Sequence, residues 1–121
     1  MLWVATDGED RPVGFALVFE IDGYAHLDQL NVLPNHTQKG LGKALLRTVC
    51  EWARERGYPG VTLSTFRDVP WNGPFYSRHG FRVVQSKELT AGLAQLVERE
   101  RKRGIRTDLR VIMRLDVGQA R

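Results

Sequence analysis

The stretch Val32-Leu33-Pro34-Asn35-His36-Thr37-Gln38-Lys39-Gly40-Leu41-Gly42-Lys43-Ala44-Leu45-Leu46 decides how the rest of the chain is read. A strand-like run ends at its start, a polar turn follows, and Gly40 and Gly42 stand where an amphipathic helix begins. The first turn of a helix leaves backbone N–H groups unpaired at the positive end of the helix dipole. That makes a site for a phosphate or pyrophosphate. Two glycines let a bulky anion approach the main chain with no side chain in the way.

Two phosphate-binding patterns fail here. The fingerprint G-x-G-x-x-G needs a glycine where this chain has Leu45, and G-x-x-x-x-G-K-[ST] needs a glycine at Thr37 and a hydroxyl residue at Ala44. What remains, Thr37-Gln38-Lys39-Gly40-Leu41-Gly42, resembles the coenzyme A loop of the GNAT acetyltransferase superfamily: Gln or Arg, two free positions, Gly, one free position, then Gly or Ala. Thr37 departs from it at the first position. Upstream, Leu27-Asp28-Gln29-Leu30-Asn31-Val32-Leu33-Pro34 is similar to the strand that enters that loop. Downstream, Phe75-Tyr76-Ser77-Arg78-His79-Gly80-Phe81 is similar to the family's late helix-to-strand signature, an aromatic pair followed by Gly-Phe. The resemblance covers roughly residues 1–85 and the last strand.

The resemblance implies a mixed α/β fold with a central sheet flanked by helices, and acetyl-CoA as the acyl donor with no metal. It implies direct attack by a primary amine in a ternary complex. It carries the backbone of Gln38, Lys39, Gly40, Leu41, Gly42 and Lys43 to the pyrophosphate, with Thr37 at the loop entrance. Lys39 and Lys43 add point charges there, or are simply solvated. Leu30, Asn31 and Val32 become a splayed strand edge beside the pantetheine arm, the Val32 N–H facing the thioester oxygen as a preorganised donor. Ordinary ladder pairing is the alternative for these three.

Tyr76, beside Phe75 on the cofactor side, is the best single catalytic candidate. A phenol near ~10 stays protonated at neutral pH while the departing thiolate belongs to a thiol near ~8.5. It can therefore give a proton as the C–S bond breaks; otherwise it is a core aromatic. Asn72 is either a cofactor contact or the cap of the short helix before Tyr76. The family often has Asn at the place of Val69 instead. For the base, His26 and Asp28 alternate onto one face of a strand, which in this fold should face the acceptor, and Glu20 is a third choice. Each also reads as a plain polar strand residue. Cys50 falls inside a helix, so no nucleophile for an acetyl-enzyme stands out. No spacing of His, Cys and Asp suggests a metal. Trp71 is expected to pack or to line the acceptor side.

Hydrophobic periodicity and turn residues predict strands at residues 2–5, 13–21 and 25–33, with a hairpin at Asp22-Gly23 and Pro34 as the stop. A helix is expected over residues 40–56, with Leu41, Leu45, Thr48, Val49 and Trp52 on one face and Gly57 ending it. Then come a strand at 61–66, a short helix at 71–79, a strand at 81–84, and a helix at 86–103 capped by Ser86. A strand at 109–115 closes the chain. Strand-helix-strand implies a parallel right-handed crossover. Against the family pattern, the resemblance leads one to expect that the usual opening strand and two helices are absent from this sequence, as in a truncated form or a start assigned late, and that the helix at 86–103 is inserted before the last strand. That helix or a second subunit is expected to cover the surface left open, and an exposed edge is compatible with a homodimer.

The 121 residues bound a single domain, 1–121. Hydrophobic content of 42% and charged content of 26% suit a globular protein, and no apolar run reaches a membrane span. One cysteine means no disulfide framework, which points to the cytoplasm. The formal net charge of +4 is read as the companion of a polyanionic cofactor rather than as a nucleic-acid footprint. Two rivals remain: a coenzyme A-binding module without activity, and an acetyltransferase acting on RNA-linked or ribosomal-protein amines.

Overall fold

Residues 1–118 are described by the computed structural model, and the side chains of residues 37–39 lie outside that description. The chain opens with three antiparallel strands, β1 (Leu2–Thr6), β2 (Pro12–Ile21) and β3 (Tyr24–Val32). Asp22 and Gly23 both take positive φ, 54° and 80°, as a two-residue hairpin turn requires. After Pro34 a 3-10 turn (Pro34–Lys39) leads to α1 (Leu41–Glu55), which crosses to β4 (Gly60–Phe66), parallel to β3. Then follow α2 (Gly73–Arg78), the short β5 (Arg82–Val83), α3 (Ala91–Lys102) and β6 (Arg110–Asp116). The last strand inserts between β4 and β5, giving a six-stranded mixed sheet in the order β1-β2-β3-β4-β6-β5.

One face of the sheet carries the main core. Ala16, Val18, Leu27, Val61 and Leu63 meet Leu45, Leu46 and Val49 of α1, with Tyr76 and Phe81 at the margin. Each buried Val or Leu stabilises this face by roughly 1.5–3 kcal/mol. The buried stripe of α1 is Leu45, Leu46, Val49 and Ala53. Thr48, expected on that stripe, is exposed and donates its hydroxyl to the Ala44 carbonyl at 2.9 Å.

The other face is covered only in part. Leu93 of α3 packs with Val84 and Ile112, joined by Ile21, Leu96 and Val97. The expected helix at 86–103 is therefore real but starts later, at Ala91. Residues Ser86–Glu88 form a separate 3-10 turn closed by a Gln85–Glu88 capping box, and Leu89 and Thr90 are extended. The reason is tertiary: the Thr90 hydroxyl and the Gly92 N–H both donate to the Asp22 carboxylate, which sets where the helix begins. Ser86 does not cap it. Toward β1, the same face leaves Leu2, Val4 and Phe19 half exposed or more. No helix among the described residues is long and apolar enough to cross a membrane.

Candidate active site

The site begins with two strands that separate. β3 and β4 pair at Ala25↔Val61, His26↔Thr62 and Leu27↔Leu63 and no further. Beyond that point a cavity of about 280 Å³ opens, walled by Asp28, Leu30 and Asn31 of β3, Thr65 and Phe66 of β4, and Tyr76 of α2. The separation coincides with a bulge. Leu17 opposes Gln29 while Val18 opposes Leu27, so Asp28 has no opposite residue in β2. A bulge bends its strand and increases the local twist. It also shifts the alternation by one, so Ala25, Leu27, Leu30 and Val32 all join the main core.

The backbone of β3 past the bulge is oriented by its pairing with β2. The Leu33 N–H donates to the Val13 carbonyl at 2.8 Å. Successive strand amides point to opposite sides, so the N–H groups of Val32 and Leu30 point away from β2, toward the gap that β4 has left.

The polar turn meets this gap at the start of α1. Gly40 sits in the left-handed region, φ 73°, a conformation costly for any residue with a Cβ. The first helical bond runs from the Ala44 N–H to the Gly40 carbonyl, 3.0 Å. Helix geometry leaves the N–H groups of Leu41, Gly42 and Lys43 without an intrahelical acceptor. A Cβ on Gly42 would lie 4.0 Å from the Val32 side chain and 3.9 Å from the Phe75 ring. The loop, the end of β3 and α2 thus converge, as the sequence motifs imply. Lys43 and Arg47 lie with His79 around a neighbouring hollow. Burial, then the charges of Lys43, Arg78 and Arg47, hold the His79 imidazole below its ordinary pKa. The side chains of Thr37, Gln38 and Lys39 fall outside the described residues.

Tyr76 is 8% exposed, its ring edge-on to Phe75 and Phe81. Burial pushes its phenol up to about 12. Asn72 stands at the N-cap position of α2 without a side-chain cap bond. Its Oδ1 instead accepts a 2.8 Å hydrogen bond from the Thr65 hydroxyl, which fixes the amide on the cavity wall.

The structure separates the three base candidates. Asp28 is exposed and lines the cavity. His26 does not share its face: the bulge breaks the expected alternation and leaves His26 2% exposed, its Nδ1 2.8 Å from the Thr62 hydroxyl. Burial lowers its pKa to about 4, against a weaker upward pull from Asp28. Glu20 is engaged elsewhere, accepting a 2.9 Å hydrogen bond from the Tyr58 hydroxyl. Burial and then the charge of Glu51 raise the Cys50 thiol to about 11, which keeps it protonated and a poor nucleophile. Trp71 does not pack as expected; it is 75% exposed.

A polar cluster at the same strand ends was not foreseen. The Ser64 hydroxyl donates to the Glu100 carboxylate at 2.9 Å, and Arg110 Nη2 donates to the Ser64 carbonyl at 2.9 Å. Arg110 also lies 3.4 Å from Glu100 and stacks 4.8 Å over the Phe66 ring. One signal was present in the sequence: Glu100 falls at helical spacing from Leu93 and Val97, a carboxylate on an apolar stripe.

Comparison with known proteins agrees with this geometry. A curated relative from Bacillus subtilis (strain 168), an uncharacterized N-acetyltransferase named YjcF, is 35% identical over 94 residues, 77% of this chain and 64% of the relative. The chain thus spans less than two thirds of that relative. The crystal structure of a GNAT-family acetyltransferase from Staphylococcus aureus Mu50 superposes with a TM-score of 0.77 at 20% identity, covering 96% of this chain and 66% of the other. A candidate streptothricin acetyltransferase from Bacillus anthracis str. Ames, crystallised with acetyl coenzyme A, superposes with a TM-score of 0.73 at 20% identity over 95% of this chain and 61% of its own. The model of the acetyltransferase (GNAT) family matches residues 1–81, the stretch that holds the bulged strand, the glycine turn and Tyr76, and by that match the chain belongs to the GNAT acetyltransferase family.

Proposed function

We propose that the chain transfers an acetyl group from acetyl-CoA to a primary amine by direct attack in a ternary complex. The observation that carries the reading is the gap between β3 and β4, with two backbone donors facing it and a buried phenol on its wall. The donor set suits an acyl-CoA. The helix start offers amides and positive charge for a diphosphate, and a strand edge with free amides suits an amide-bearing arm. Bound acetyl-CoA supplies an activated thioester: the amine nitrogen forms the new C–N bond, the C–S bond breaks, and the proton lost by the amine is balanced by the one gained by the thiol.

The residues divide the remaining work. The Val32 N–H is the donor for the charge that develops on the thioester oxygen. The Tyr76 O–H, on the cavity wall, would serve the leaving sulfur of a bound acyl donor. With a phenol near 12, it stays protonated throughout and acts chiefly as a hydrogen-bond donor to the thiolate. Asp28, exposed at the cavity wall, accepts the amine's proton through water; His26, buried and hydrogen-bonded to Thr62, takes no part. Asn72, held by Thr65, keeps the β4 side of the cavity polar. Within the basic segment that would favour an RNA acceptor, Arg101 pairs with Glu98, Arg106 with Asp108 and Arg110 with Glu100.

A thermal-shift screen with acetyl-CoA, followed by thiol release with a panel of amines, tests the reading. Stabilisation by acetyl-CoA and amine-dependent thiol release support it. Stabilisation without release on any amine makes the chain a binding module instead.

A further inference from the structure

A second cavity, of about 270 Å³, lies under α3 on the other face of the sheet. Val84, Leu89, Val97 and Ile112 form its apolar wall, and Ser64, Glu100 and Arg110 its polar end. Ser64 and Arg110 also line the gap between β3 and β4, so the two cavities meet across the end of β4. Ser64 is the residue where this contact is made: it follows Leu63, the last residue of β4 that pairs with β3, and it is held by β6 through Ile112.

We infer that this second cavity is the acceptor pocket and that it takes a small primary alkylamine, the ammonium at Glu100 and the alkyl body along α3. The inference rests on the acetyl-transfer reading above and names the acceptor class of that same site. Glu100 is the one carboxylate among the residues that line the cavity, and it is 8% exposed. A carboxylate so far from water needs several donors, and it has about four acceptor positions to fill. Ser64 supplies its hydroxyl at 2.9 and 3.2 Å. Arg110 stands off at 3.4 Å, longer than the usual charged hydrogen bond of about 2.7–2.9 Å. Its guanidinium is drawn aside by the Ser64 carbonyl and the Phe66 ring. An ammonium, with three N–H donors, matches the remaining capacity of Glu100. The apolar wall then favours a hydrocarbon body over a polar one, since each methylene taken out of water favours binding. The volume is at the small end for ligand pockets, roughly 300 Å³ and upward, which suits a short chain.

The test is a titration of the 15N-labelled full chain, with coenzyme A present, by hexylamine and by ethanolamine, followed by NMR amide shifts. Hexylamine should move the amides of Leu89, Val97 and Ile112 at lower concentration than ethanolamine. Glu100→Gln keeps the shape and the bond to Ser64, and should weaken hexylamine on the order of tenfold, the loss of one charged contact. Val97→Trp should fill the apolar wall and penalise hexylamine more than ethanolamine. Acetyl-CoA affinity in both variants should stay within about twofold of the parent chain. Hexylamine shifts absent from α3, or an unchanged affinity in Glu100→Gln, overturn the inference. Binding under α3 with no thiol release from acetyl-CoA on any amine keeps the cavity as an amine site and defeats the enzyme reading; release with an amine that binds elsewhere overturns the pocket and keeps that reading.

Discussion

The carboxylate of Asp22 caps α3 from 70 positions away, accepting a 2.7 Å hydrogen bond from the Gly92 N–H, and the Thr90 hydroxyl donates to the same group. The Thr90 bond holds its pKa below the ordinary carboxylate range against the opposing effect of burial, and the Gly92 and Leu93 amides add smaller downward pulls. Asp22→Ala should therefore lower the melting temperature followed by circular dichroism. A depressed carboxylate stabilises the fold above its unfolded pKa and loses that contribution as pH falls through its folded value. The gap between parent and variant should be full at pH 7 and close progressively below about pH 4. A gap that persists unchanged at pH 3 would show that the cap is not electrostatic.

The start of α1 separates fold from binding. Gly42→Asp places a negative charge at the positive end of a helix, which favours the helix by about 0.3–1 kcal/mol. The same charge meets the diphosphate of the acyl donor. The expected outcome is an unchanged or raised melting temperature with acetyl-CoA affinity down by about tenfold or more, read by calorimetry. Gly40→Ala should act the other way, costing about 1–2 kcal/mol of stability because its φ of 73° is unfavourable for a Cβ.

Tyr76→Phe keeps the ring packing against Phe75 and Phe81 and removes only the hydroxyl. Turnover should fall about 10²-fold, the lower end for a proton-transfer or equivalent donor role, with acetyl-CoA affinity unchanged. Because the phenol titrates near 12, the parent chain should show no alkaline loss of rate from this group below about pH 10. An alkaline limb near pH 8 that disappears in Tyr76→Phe would refute the assignment.

His26 should matter for stability and not for rate. Its folded pKa is about 4, against an unfolded value near ~6.5. Between those values the unfolded chain binds a proton that the native state does not, so stability falls as pH drops from 6.5 toward 4 and is level above 7. The full span is on the order of 3 kcal/mol. His26→Gln should flatten that slope in urea titrations at pH 7 and pH 4.5. It should also leave acetyl transfer within a few-fold, whereas Asp28→Asn should reduce it.

What was legible in the sequence was local. The hairpin at Asp22-Gly23, the stop at Pro34 and the glycines at the head of α1 are turn chemistry and periodicity, read from neighbours in the chain, and the aromatic pair before Gly80 was read from its resemblance to a family signature. The features that were missed depend on distant partners. Nothing near Asp28 announces a bulge, because the extra residue is defined by the register against Leu17 and Val18. The expectation that His26 faces the cleft failed for that reason. Glu100 meets Ser64 across 36 positions, and Arg110 reaches the same residue across 46. The late start of α3 follows from a side chain in the first hairpin, which no cap rule applied within residues 86–92 would find.

The ladder between β3 and β4 stops after three rungs. Its opening is therefore a matter of register, already present in the resting chain, and needs no moving door. A slender amide-bearing arm can take the place of the missing rungs, much as an added strand would. On the proposed reading, the ordering cost would then fall chiefly on the visitor.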